Sequence, residues 1–117
     1  MSEWLPNYLK TYRKDFGLTQ SELADLITCK SRSMISGYET GYRYPDLYET
    51  MSYEVVFGVL LKDLYPGAYE DVRTETLNRL RHLIEAKERD PINPETARTV
   101  ELLKMRLVAE ERIASQE

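Results

Sequence analysis

Residues 19–41, TQSELADLITCKSRSMISGYETG, decide how the rest of the chain is read. Thr19 followed by Glu22 has the spacing of a capping box, in which a hydroxyl and a carboxylate satisfy each other's backbone N–H groups. Behind that cap, Leu23, Ala24, Leu26 and Ile27 share one face at helical spacing. A second short helix is predicted from Ser31, whose hydroxyl can cap exposed N–H groups. Its inward residues are Met34, Ile35 and Tyr38, and Gly41 suits the left-handed residue that closes a helix. Two short helices with so small a turn cannot lie side by side as a long hairpin. They must cross steeply, as in a helix-turn-helix.

Upstream, a helix is predicted from Pro6 or Asn7 to about Asp15, with Leu5, Leu9, Tyr12 and Phe16 as its buried stripe and Gly17 ending it. Downstream, the polar and aromatic loop TGYRYP precedes a fourth helix, Asp46 to Phe57, with Leu47, Met51, Val55 and Val56 facing inward. Gly58 breaks it, and VLLKDLY forms a short fifth helix ended by Pro66-Gly67. From Tyr69 the pattern becomes a long amphipathic helix to residue 89. Asp90-Pro91-Ile92-Asn93-Pro94 interrupts it, since each proline disfavours helix in the residue before it. Asn93 can cap a last helix that runs to about Ala114. The fold class is therefore all-α, with five short helices in residues 1–67 and a two-helix hairpin in 68–117.

At 117 residues the chain fits one small domain with an appendage. No apolar run approaches the roughly 18–20 residues of a membrane span, and MSEWLPNYLK lacks the layout of a secretory signal. A single cysteine, Cys29, permits no internal disulfide and points to a reducing, cytoplasmic setting. Cys29 and His82 stand too far apart in sequence for a metal site or thiol–imidazole pair, and no cofactor is implied. No paired carboxylates, phosphate-binding glycine loop or activated nucleophile stands at a meaningful spacing, so an enzyme is not expected. The net charge of −4 runs against the basic balance usual for nucleic-acid binding, but cations gathered on one face matter more than the total.

Residues 7–65 resemble the phage-repressor/Cro class of helix-turn-helix regulators, the XRE type. The resemblance rests on LTQSELAD, SRSMISGYETG, the following Pro45, FGVLLKDLY, and the order of five short helices. It implies a five-helix, lambda-repressor-like domain that binds duplex DNA. In one respect the chain departs from the class: Gln20 and Glu39 are one residue further apart than usual, and the turn lacks its usual glycine. The extra residue falls within Ile27-Thr28-Cys29-Lys30, so a longer turn is expected, with Thr28 or Cys29 in the strained conformation.

A helix-turn-helix places the N-terminal part of its second helix in the major groove. Periodicity turns Ser31, Arg32, Ser33, Ser36 and Gly37 outward, and these are the candidate base contacts. Arg32 is the foremost, because a guanidinium can grip guanine O6 and N7 together. Candidate phosphate contacts are Gln20 and Lys30 and, by family analogy, Tyr42, Arg43 and Tyr44, the two tyrosines being equally suited to packing as a lid. The resemblance also implies a structural ion pair between Arg13 and Glu39.

The tail carries stripes of Val72, Leu77, Leu80, Leu83 and Ile84 on one helix and of Ala97, Val100, Leu103, Leu107 and Ala114 on the other. Apolar surface left over on a two-helix hairpin calls for a partner. Readers of this type pair across repeated half-sites, so residues 69–114 are expected to form a homodimer interface through Leu77, Leu80, Ile84, Val100, Leu103 and Leu107. The alternative is that the hairpin packs on its own domain. The leading functional reading is a sequence-specific, dimeric regulator that occupies an operator. The competitors are an autoregulatory antitoxin whose tail wraps a toxin, and an interaction module that has lost DNA affinity.

Overall fold

The computed structural model describes residues 5–27, 31–89 and 94–116. The described residues form seven helices and no strand: α1 Leu9–Asp15, α2 Gln20–Leu26, α3 Arg32–Thr40, α4 Leu47–Phe57, α5 Leu61–Leu64, α6 Pro66–Arg89 and α7 Pro94–Ser115. The chain divides into two compact units, Met1–Asp71 and Val72–Glu117.

Local chemistry sets the boundaries of the first unit. Thr19 Oγ1 accepts from Glu22 N at 3.0 Å while the Glu22 carboxylate accepts from Thr19 N at 2.9 Å, so the capping box is complete. That hydrogen bond from the Thr19 backbone, and then the Thr19 hydroxyl, hold the Glu22 pKa below its ordinary value. Ser31 caps α3 through Met34 N. Asp46 and Glu49 repeat the capping box at α4. Gly41 closes α3 with φ +85°, and a Cβ there would press into the Leu5 backbone. This close approach has a purpose: Leu5 N donates to Gly41 O at 3.2 Å, and Asn7 Nδ2 donates to Tyr38 O at 3.0 Å. The segment before α1 is thereby fastened to the end of α3.

Leu9, Leu23, Ala24, Ile27, Ile35, Tyr38, Tyr53, Phe57, Leu64 and Tyr65 form the core, with Leu5, Tyr12, Leu18, Met34 and Val56 packed against it. Phe16 is half exposed, yet its ring meets Phe57 edge-on at 4.9 Å.

Two expectations are corrected. The inward face of α4 is Glu49, Tyr53 and Phe57, whereas Leu47 is 70%, Met51 43% and Val55 83% exposed. Turned this way, the helix buries two large rings, and its one buried acid is satisfied because Tyr38 Oη donates to Glu49 Oε1 at 2.7 Å. Secondly, α5 does end just before Pro66, at Leu64, but the long helix expected from Tyr69 already begins at Pro66, where a proline at the first position forfeits no bond.

In the second unit, Leu77 and Ile84 are buried and Leu80, Val100, Leu103 and Leu107 are half-buried. Arg73 Nη2 donates to Glu110 O at 2.8 Å, and Lys104 meets Glu88 at 2.6 Å, tying α6 and α7 together in antiparallel sense. Leu83, Leu102, Met105, Val108 and Ile113 remain largely exposed. The predicted break at residues 90–93, including the Asn93 cap, lies outside the described residues.

Candidate nucleic-acid interface

Helix α3 turns Arg32, Ser33 and Thr40 to solvent, with Ser31, Ser36 and Gly37 half-covered, while Ile35 and Tyr38 are buried. Ser31 Oγ, already capping the helix, lies 3.0 Å from Ser33 Oγ.

Arg32 is held at the start of this face by a chain of side-chain bonds that begins in the core. Arg13 Nε and Nη2 grip the Glu39 carboxylate at 2.6 and 3.1 Å, and Arg13 Nη1 donates to Leu18 O at 2.8 Å. Only 10% of the Arg13 side chain and 3% of the Glu39 side chain are exposed. The hydrogen bond to Glu39 raises the Arg13 pKa and outweighs the lowering effect of burial. Glu39 Oε1 also accepts from Gln20 Nε2 at 3.1 Å, and Gln20 Oε1 in turn accepts from Arg32 Nε at 3.3 Å. A bidentate, nearly buried ion pair thus fixes an amide, and the amide fixes an exposed guanidinium.

Beside this chain is a concavity of about 650 Å³, lined by Lys10, Arg13 and Lys14 of α1, by Thr19, Gln20 and Ser21 where α2 begins, and by Arg32. Residues 1–71 carry seven lysines and arginines against eleven aspartates and glutamates. Four of those seven cations line this one hollow.

The loop after α3 exposes Tyr42 and Tyr44, 65% and 63% accessible, so neither packs as a lid. Arg43 turns back towards α3: its backbone N–H donates to Gly37 O at 3.0 Å, and its guanidinium carbon stands 6.0 Å from the Tyr42 ring centre.

The structure therefore groups Gln20, Ser31, Arg32, Ser33, Ser36 and Gly37 with the Arg13–Glu39 pair, and places Tyr42, Arg43 and Tyr44 at the end of the same helix. Lys30 and the turn at Thr28-Cys29 lie outside the described residues. Sequence reasoning missed Lys10 and Lys14, though two lysines four apart on the first helix were a readable signal. It also missed the linking role of Gln20, which no spacing rule announces.

Residues 9–64 match a family model described as helix-turn-helix. This segment belongs to the phage-repressor/Cro, XRE-type helix-turn-helix family. Searches among curated proteins and among solved structures returned no match. The family is one of DNA-binding regulators rather than enzymes, and the match ends before α6 and α7. No helix among the described residues is long and apolar enough to cross a membrane.

Proposed function

We propose that this helix-turn-helix protein is a sequence-specific regulator that represses by occupying an operator as a homodimer, with the N-terminal turns of α3 in the major groove. The observation that carries this reading is the bonded chain Arg13–Glu39–Gln20–Arg32, which presents a guanidinium already oriented on the first turn of the exposed helix. Pre-setting a long, flexible side chain reduces the entropy lost when it grips a base pair. Arg32 supplies the main base contact, and Ser31, Ser33 and Ser36 make single hydrogen bonds beside it. Gln20, Lys30, Tyr42 and Tyr44 meet phosphates, joined by Lys10 and Lys14 from the basic hollow. A chain with a negative total can bind this way because phosphate attraction acts within roughly 10 Å at moderate salt.

The hairpin supports self-association through the apolar surface it leaves exposed, including Leu102, Met105 and Val108. A specific observation favours a second route to the dimer: α4 exposes Leu47, Met51 and Val55, a stripe at four-residue steps in the DNA-binding unit itself. Anisotropy titration of the full chain against its own upstream region, alongside Arg32→Ala, tests the DNA reading. Wild type should prefer that fragment over scrambled DNA, and Arg32→Ala should lose the preference. Equal, weak binding of both proteins to any duplex would sink the regulator reading and leave an interaction module.

A further inference from the structure

We propose that Arg43 is a second base reader, using Gly37 as its seat and guanine as its target. The proposal rests on the reading that α3 enters the major groove.

Gly37 needs an explanation. It sits inside a helix, where glycine costs about 1 kcal/mol relative to alanine, and its φ is not in the left-handed region that would require it. Space gives the reason. A Cβ on residue 37 would lie 2.9 Å from Arg43 Cδ, 3.2 Å from Cγ and 3.4 Å from Cβ. The Arg43 stem therefore rests where the residue 37 side chain would begin, and the bond from Arg43 N to Gly37 O pins the loop to the same spot. From there the side chain runs back along the helix, placing Nη1 at 3.5 Å from Met34 Sδ.

A helical side chain covers the turn N-terminal to its own Cα. For residue 37 that turn holds Ser33 and Met34, and the Arg43 guanidinium sits there. Arg43 thus occupies the place that a long reader on residue 37 would reach. A loop arginine that served only a phosphate would need no such seat. By helical position Arg32 and Gly37 flank the strip of Ser33, which is exposed, and Ser36, which is half-covered, so two guanidiniums border one row of hydroxyls. The chemistry each offers is bidentate donation to guanine O6 and N7.

The test is selection of bound sequences from a random duplex library, using the full chain as wild type, Arg32→Ala, Arg43→Ala and Gly37→Ala. Wild type should enrich a site with two guanine preferences per half-site. Arg43→Ala should erase one of them and leave the Arg32-dependent one, with binding to the preferred site falling roughly 5- to 150-fold. Gly37→Ala should erase the same preference by displacing the stem without lowering thermal stability, and adding it to Arg43→Ala should change nothing further. If Arg43→Ala keeps both preferences and weakens all duplexes alike, with a salt slope smaller by about one, Arg43 is a phosphate contact and the proposal is overturned. If wild type enriches no sequence at all, the groove reading fails and takes this proposal with it.

Discussion

Replacing Arg13 by Met should remove much of the stability of the first unit. The Glu39 side chain, 3% exposed, would keep, among the described residues, only the Gln20 amide as a partner in place of two guanidinium bonds. Stranding one member of a pair buried this deeply costs about 3–5 kcal/mol. Small domains have roughly 5–15 kcal/mol in all, and at about 4–8 °C per kcal/mol for this size the midpoint should drop by roughly 12 °C or more. The double variant Arg13→Met/Glu39→Met removes both charges, so most of the loss should return. It stays about 1–2 kcal/mol below wild type, because Leu18 O and Gln20 each lose a hydrogen bond. Thermal melts for the midpoint and urea unfolding for the free energy, both followed by near-UV circular dichroism, are the suitable assays. Every tyrosine, phenylalanine and tryptophan lies within residues 1–71, so the signal reports on this unit alone. The pair is also the anchor of Gln20 and, through it, of Arg32, so the folded double variant should bind its operator more weakly than wild type. A double variant as unstable as the sum of the two singles would show that the sites are independent, and the reasoning would fail.

Gly41→Ala should destabilise by at least about 1 kcal/mol, since the new Cβ combines left-handed strain with a clash against the Leu5 backbone; thermal melts report it, and an unchanged midpoint would refute the close approach. Tyr65 has its hydroxyl buried with no hydrogen-bond partner among the described residues. Tyr65→Phe should therefore hold or raise stability by about 1 kcal/mol, with a clear loss in denaturant titration counting against this. Burial, and then the nearby Tyr44, push the Tyr65 pKa up to about 12. The unfolded chain then loses this proton first, so the contribution is complete below pH 10 and is lost as pH climbs from there towards 12; tyrosinate absorbance beside unfolding midpoints would trace it. Lys10→Ala/Lys14→Ala should lower affinity for all duplexes alike and reduce the salt slope by about two, and an unchanged slope would remove α1 from the interface.

What could be read from sequence alone was decided by how local the signals were. Thr19 with Glu22, Ser31 and Gly41 act within three residues of themselves, and each does in the fold what its chemistry implies. Helix α4 resisted because it is apolar on nearly every side, with Leu47, Met51, Tyr53, Val55, Val56 and Phe57 within eleven residues. Periodicity names no face there. The orientation was settled by long-range fits: Tyr53 and Phe57 in the core and the Tyr38 hydroxyl on Glu49. Pro66 was legible only as the end of α5, although a proline equally suits the first position of the helix that follows. At the site, the outward side of α3 followed from its buried side. The seat of Arg43 on Gly37 needed coordinates, because a glycine's silence in sequence does not reveal which distant side chain fills the space.

The acidic balance of residues 1–71 also changes meaning once its carboxylates are located. Glu22, Asp46 and Glu49 take part in capping boxes at the starts of α2 and α4, where negative charge meets exposed N–H groups and the positive end of the helix dipole. Glu54 accepts from Leu61 N at 2.7 Å and Asp63 from Leu60 N at 2.8 Å, fixing the start of α5. Glu39 holds Arg13 and Gln20. Six of the eleven acids are thus committed to building helix starts and the buried pair, within a Debye length of groups that offset them. The cations are distributed differently: Lys10, Lys14 and Arg32 reach solvent around the start of α2, and Arg43 borders α3. Net charge averages these two uses and so reports the acid in the scaffold. The field a phosphate backbone would meet at α3 depends on the charges nearest it, and four cations reach solvent around α2 and α3, so the total of −4 does not by itself weigh against a DNA-binding face.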